Sequence, residues 1–318
     1  MKQILLTYVH NISNAVTAFL LPERAYNEKA EPPLWVMVSK EITDIVHSWR
    51  FLILFALIIM TAVGSVIAFE LQYSEITRDI KIDDKIFFLR IFTWKNSIFL
   101  MVMQYLCPVL GICLGFDAIN SEQTKGTLSR VLSQPVYRDY ILLSKFLAAL
   151  LVVSLLFTVL MMIMFAWGLL SLGVGPTLDE FLRLLWYLFL TIVYVAFWLN
   201  IALFFSGIFR QSSASVLTCI SAWLIFSVLA ALPFEISSSF SLNPIFAYQQ
   251  AIMILMTPEL EGLLKVPIEY AGGVRPTLLP LNQNIIIAGG FITYLIAGSV
   301  ALFAMSYYFF MRREIRSR

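Results

Sequence analysis

The chain has 318 residues, 60% of them apolar and only 13% charged. That apolar share is beyond what a soluble globule carries and marks an all-α polytopic membrane protein. The balance of 22 lysines and arginines against 20 aspartates and glutamates leaves a formal charge of +2, with no electrostatic footprint for nucleic acid.

In chain order, residues 1–21 form an apolar stretch interrupted by His10, Asn11, Ser13 and Asn14. Polar residues at its middle and the lack of a small-residue cleavage site argue against a signal peptide. An amphipathic helix lying on the membrane is expected instead, with Ile4, Leu5, Tyr8, Ile12, Val16 and Phe19 inward. A charged linker covers 22–33. Over 34–50, Trp35, Val38, Ile42, Ile45 and Trp49 recur at steps of three and four residues, while Lys40, Glu41, Asp44 and His47 take the other face. This spacing predicts an amphipathic helix leading straight into the first span, its two tryptophans favouring the headgroup zone.

Apolar runs long enough to cross a bilayer are expected at about 51–69, 97–116, 141–172, 184–208, 216–234 and 285–310, which makes six spans. In the first of them Gly64 is expected to admit a close neighbour. The segment 70–95 reads as a polar loop with charges of both signs, 173–180 as a short turn around Gly175-Pro176, and 210–215 as a short polar loop. In the longest loop, 235–284, residues 244–256 are apolar but too short to cross, and read as an interfacial or re-entrant helix. The chain therefore divides into an interfacial amphipathic region at 1–50, a six-span domain at 51–310 and a basic tail at 311–318. With the amino terminus inside, most lysines and arginines fall on the inner side, which favours both termini in the cytoplasm. The bases of 70–95 run against that bias.

Catalytic signatures are absent. No G-x-x-x-x-G-K-[ST] phosphate loop, H-E-x-x-H, cysteine-pair zinc pattern or G-x-S-x-G occurs, so no catalytic, cofactor or metal site is expected on this chain. Cys107, Cys113 and Cys219 all lie in apolar runs and read as packing residues. The spans are nearly free of ionisable groups, which an ion-coupled carrier would need. Gln104 and Asn200 are their polar residues. They are candidates to line a cavity, with an interhelical hydrogen bond as the plainer role for Asn200.

The most informative stretch is the polar one at 121–148, SEQTKGTLSRVLSQPVYRDYILLSKFLA, between the second and third spans. Charged chain between two spans must lie at a water-facing surface. Helical spacing through Leu128, Val131 and Leu132 predicts a short helix, Ser133-Gln134-Pro135 ends it, and Asp139 is placed to cap the next. A short helix held across the end of two spans is a lever: force on it tilts both.

This stretch resembles the cytoplasmic coupling segment of type-2 ABC exporter permeases, whose pattern is close to E-x-x-x-G-T-L-x-x-L-L-S-x-P-V-x-R followed by I-x-x-G-K. The matching residues are Glu122, Gly126, Thr127, Leu128, Leu132, Ser133, Pro135, Val136, Arg138, Ile141 and Lys145. Thr124 stands where many members have a second acid, Val131 replaces a common leucine, and Ser144 replaces the glycine before the lysine. The resemblance implies a permease subunit working with a separate cytoplasmic ABC ATPase that carries the ATP and Mg. It implies two ATPases and a second permease copy or homologue, in the plasma membrane. It also implies that Glu122, Gly126, Thr127, Leu128, Leu132, Pro135 and Arg138 form the ATPase contact, and that the helix bearing Trp35, Val38, Ile42, Ile45 and Trp49 is an elbow beside it. Two other readings stand next to this one: an ATP-independent carrier or channel, and a membrane scaffold or sensor that binds a cytoplasmic partner.

Overall fold

A computed structural model describes residues 33–79, 98–124, 126, 138–172, 175–232, 242–256 and 281–312. The expected helix at 1–21, most of the loop at 70–95, the turn at 133–135 and the tail beyond Arg312 lie outside the described residues.

Helix is the regular structure of the described residues: α1 (Pro33–Val46), α2 (Trp49–Asp79), α3 (Ile98–Gly115), α4 (Asn120–Thr124), α5 (Arg138–Leu172), α6 (Leu178–Ile208), α7 (Ser212–Ala230), α8 (Pro244–Met256) and α9 (Leu281–Arg312). Six of them, α2, α3, α5, α6, α7 and α9, are long and apolar enough to cross a membrane, as the hydropathy reading expects.

The bundle is organised around α6, which packs against α3, α9, α8, α5 and α7. It buries side chains on every face, among them Tyr187, Tyr194, Phe197, Trp198 and Ala202, as a helix that is apolar all round should. Between apolar helices in lipid, close backbone approach and interhelical hydrogen bonds decide the packing. Gly111 and Gly115 on α3 provide the first: a Cβ at Gly111 would stand 2.8 Å from the Leu199 backbone nitrogen, and one at Gly115 would stand 2.7 Å from the Ala202 Cβ. Asn200 provides the second, donating to the Ser299 carbonyl at 3.0 Å and its hydroxyl at 2.9 Å across to α9. Gly64, by contrast, meets nothing within 4 Å. The close neighbour expected there is found instead at the G-x-x-x-G of α3.

Several element boundaries differ from the sequence reading: the helix expected over 34–50 ends at Val46, and α7 and α9 start at Ser212 and Leu281, inside segments read as loops. α6 begins at Leu178, inside the segment read as a turn. Thr177 and Glu180 form a reciprocal capping box, with the Thr177 N–H donating to Glu180 Oε2 at 2.7 Å and the Glu180 N–H donating to Thr177 Oγ1 at 3.3 Å. α2 continues to Asp79, well into the segment read as a polar loop.

α8 is buried rather than spread on a surface. Ile245, Ala247, Tyr248, Ala251, Leu255 and Met256 are all inaccessible, and Tyr248 stacks on Tyr194 of α6 with ring centroids 3.9 Å apart. Asn243 caps its start, accepting from the Ile245 N–H at 3.0 Å, with Pro244 at the first helical position. Its other end is fixed by the buried Arg183 guanidinium, which donates to the Leu255 carbonyl and to Asp179, both at 2.7 Å.

The chain passes back and forth between two ends. One holds the α5–α6 turn and the Arg183–Leu255 contact. The other gathers α1, the α2 start, α4, the α5 start, the α6–α7 connection and the C-terminal part of α9. There Ile119, Ile141, Leu142 and Phe310 form a small apolar floor, with Met37 and Phe303 packed against it.

Candidate functional site

Charge collects at this second end. α1 lies along α5 and turns Val38, Ile42 and Val46, one line at four-residue steps, into the core. Trp35 points outward, as does Trp49, which the break at His47-Ser48 places at the start of α2, and Ile45 is partly buried. The buried stripe is thus rotated from the one read in the sequence, and Glu41 moves with it toward the interior. A carboxylate tolerates such a position only with a partner, and α5 supplies one.

That partner is Lys145, 8% exposed. Its Nζ donates to Glu41 Oε2 of α1 at 3.0 Å and to Glu122 Oε1 of α4 at 2.7 Å. One ammonium therefore joins three elements. Lys40 extends the chain of charge, lying 3.1 Å from Glu41 Oε1 and 3.3 Å from Asp44. Burial by itself raises the Glu41 carboxyl, but Lys145 and then Lys40 outweigh it and hold the group below its ordinary range. Burial lowers the Lys40 ammonium, and Glu41 and Asp44 together carry it above its ordinary value. Nearby, Arg50 at the α2 start pairs with Asp117 just after α3, and its guanidinium lies over the Phe116 ring at 4.9 Å.

α4 is held on its other side by neutral hydrogen bonds. Ser206 Oγ of α6 accepts from the backbone N–H groups of Ile119 and Asn120 at 3.0 and 3.3 Å. It so caps from outside a helix start that has no capping side chain of its own at that position. Ser212 of α7 donates to Asn120 Oδ1 at 3.0 Å, and Thr124 Oγ1 lies 3.4 Å from the Arg210 carbonyl. The segment leaves α4 through Gly126, whose φ of +68° is in the left-handed region that favours glycine. A Cβ there would meet nothing within 4 Å.

Of the residues expected at the partner contact, Glu122 turns its carboxylate to Lys145, Gly126 stands at the exposed turn, and Arg138 is the first residue of α5. Thr127, Leu128, Leu132 and Pro135 lie outside the described residues. The structure therefore brings α1 and the first part of the polar segment together through one cation. Gln104 and Asn200 are elsewhere, both buried between helices. Gln104 donates to Gln249 Oε1 at 3.4 Å and its carbonyl accepts from Tyr194 at 3.1 Å. Sequence reasoning named Lys145 in the resembled pattern and Glu41 on the polar face of the amphipathic helix without joining them, and it missed Ser206. A charge opening an apolar run was the visible hint at Lys145, but nothing linear joins it to Glu41.

The fold and this end define a multi-pass helical membrane protein in which buried charge fastens an amphipathic helix to a polar inter-span helix. The family model described as ABC-2 family transporter protein matches residues 35–315. The chain belongs to that family and is a type-2 ABC permease, a membrane transport subunit. Among curated proteins, none matches the chain.

Proposed function

We propose that this permease is the membrane subunit of an ATP-driven exporter, with ATP and Mg handled by a separate cytoplasmic ATPase that docks on the segment from Glu122 to Arg138. The observation that carries this reading is the position of α4. It is fastened to α5 and, through Lys145, to α1, and it is hydrogen-bonded to α6 and α7. A load placed on it has a short path into the bundle. Glu122, Gly126, Thr127, Leu128, Leu132, Pro135 and Arg138 form or shape the contact, and the exposed side of α1 with Trp35 is a second support. The end that carries α1 and α4 faces the cytoplasm, which puts both termini on that side of the plasma membrane. Two permeases and two ATPases complete the unit. α7 offers a face for the second permease: it is the least enclosed of the spans, exposing Leu217, Leu224 and Val228.

Gly126 tests the contact. A Cβ added at Gly126 meets nothing within 4 Å, so a tryptophan starts into open space, where it would obstruct a docked partner. Asparagine is the control, because it tolerates a positive φ without the bulk. Gly126→Asn should keep ATP hydrolysis by the purified complex near the wild-type rate, and Gly126→Trp should abolish it with the protein still in the membrane. Equal rates in the two variants would remove Gly126 from the contact.

A further inference from the structure

We propose that Lys145 is a positioning residue of the coupling step, clamping α1 and α4 against the start of α5 so that a load on α4 reaches the amphipathic helix and the third span together. This role rests on the permease–ATPase reading. It concerns a residue to which that reading gives no contact with the partner.

The geometry supports a clamp. Three ionised groups from three separate elements meet at one nitrogen, at 3.0 and 2.7 Å, and all three are largely shielded from water. Both carboxylates lie within 3.0 Å of the same nitrogen, so without the ammonium they would repel each other at close range, with Lys40 still paired to Glu41 from the exposed side of α1. Removing one partner of a buried charge cluster is far more disruptive than replacing the whole cluster by neutral groups. The links on the opposite side of α4, to Ser206 and Ser212, are neutral and do not involve Lys145. Loss of the ammonium therefore removes the charged link from α4 to α1 and α5, leaving the apolar floor under Ile119 and the hydrogen bonds to α6 and α7 in place. The Arg50–Asp117 pair ties α2 to the end of α3 separately, so the remaining spans keep their own fastening. The ammonium is a compact point charge with three donors, suited to two carboxylates approaching from different directions.

The test uses the complex purified from its native membrane in mild detergent, with four variants: Lys145→Met, Lys145→Arg, Glu122→Gln as the baseline for the contact residue alone, and the neutral triple Glu41→Gln/Lys145→Met/Glu122→Gln. Trypsin cleavage after Lys40, on the exposed side of α1, reports whether α1 stays docked. Hydrolysis of MgATP per ATPase subunit reports coupling. Lys145→Met should raise cleavage and lower hydrolysis, each by about tenfold or more, as expected when a buried pair is broken. Lys145→Arg should return both toward wild type. The neutral triple is the deciding variant. With no carboxylate left facing another, and Val38, Ile42 and Val46 still buried, α1 should resist trypsin as in wild type, yet hydrolysis should fall several-fold below that of Glu122→Gln because the charged link is gone. A triple variant that hydrolyses as fast as Glu122→Gln would show that Lys145 merely relieves repulsion and would overturn the proposal. So would a triple variant that is both trypsin-labile and inactive, since the role would then be folding alone. If no ATPase accompanies the wild-type chain, the permease–ATPase reading itself fails, and unchanged Lys40 cleavage in Lys145→Met then refutes the clamp as well.

Discussion

Glu41 shows how far a single residue's setting departs from its sequence appearance. On a helical projection it belongs with Lys40, Asp44 and His47 on a water-facing side. In the folded chain it is nearly enclosed, and Lys145 and Lys40 keep it ionised. Its carboxyl is held below the ordinary 4.5. The folded chain thus binds a proton there less readily than the unfolded chain does. The stabilisation is complete above the ordinary value and is lost as pH falls through the lowered folded value. Thermal melts of the purified chain taken from about pH 6 to about pH 3 should therefore show an acid loss of stability that is shallower in Glu41→Gln. Parallel curves for the two proteins would contradict the assignment. The sequence could show that Lys145 opens an apolar run and that Glu122 sits in a recognisable pattern. It could not show that they meet, because Glu41, Glu122 and Lys145 are brought together by helix packing and not by spacing. The same holds for Ser206, a hydroxyl in an apolar span whose partners are backbone groups of another helix.

Elements were more legible than residues where a helix carries its own signal. Six apolar runs of bilayer length gave six spanning helices, since length and hydropathy decide the matter without reference to neighbours. Boundaries depended on which local cue dominated. The Gly175-Pro176 pair drew attention to a turn, but the Thr177-x-x-Glu180 box starts α6 immediately after it. Amphipathic α1 was readable as a helix, and its rotation was not, because the Lys145 partner that accepts Glu41 inside the bundle lies on another helix, far away in sequence. Packing between elements gives the next prediction. Gly111 and Gly115 let α3 approach the α6 backbone, and the atoms that a Cβ would meet at Gly111 include the Leu199 nitrogen and Val195 oxygen, which belong to a helix and yield little. Gly111→Ala should destabilise the bundle by about 1–3 kcal/mol through overpacking. Gly289→Ala, with nothing within 4 Å of the added methyl, should be neutral or slightly stabilising. Unfolding titrations in mixed micelles compare the two, and equal midpoints would show that α3 and α6 are not in close contact.

At the scale of the molecule, the two ends are built differently. One is closed by α8, fixed at its C-terminal end by Arg183 and stacked on α6 through Tyr248. The other joins three elements through the shared Lys145 ammonium and adds cross-helix hydrogen bonds around the short helix α4. Packing in lipid alone does not call for a shared cation that links a surface helix to a span. A transport subunit driven from outside the bilayer does, because the driving force must enter through a water-facing surface and reach the spans. The family match over 35–315 establishes the class of molecule, and the proposed function takes this end as the place where the drive enters. The most direct measurement is the composition of the complex purified from its native membrane in mild detergent. A nucleotide-binding ATPase subunit is expected in equal number to this chain, retained by wild type and lost from Gly126→Trp. A stable, monodisperse preparation that moves cargo without any nucleotide-binding partner would contradict the account.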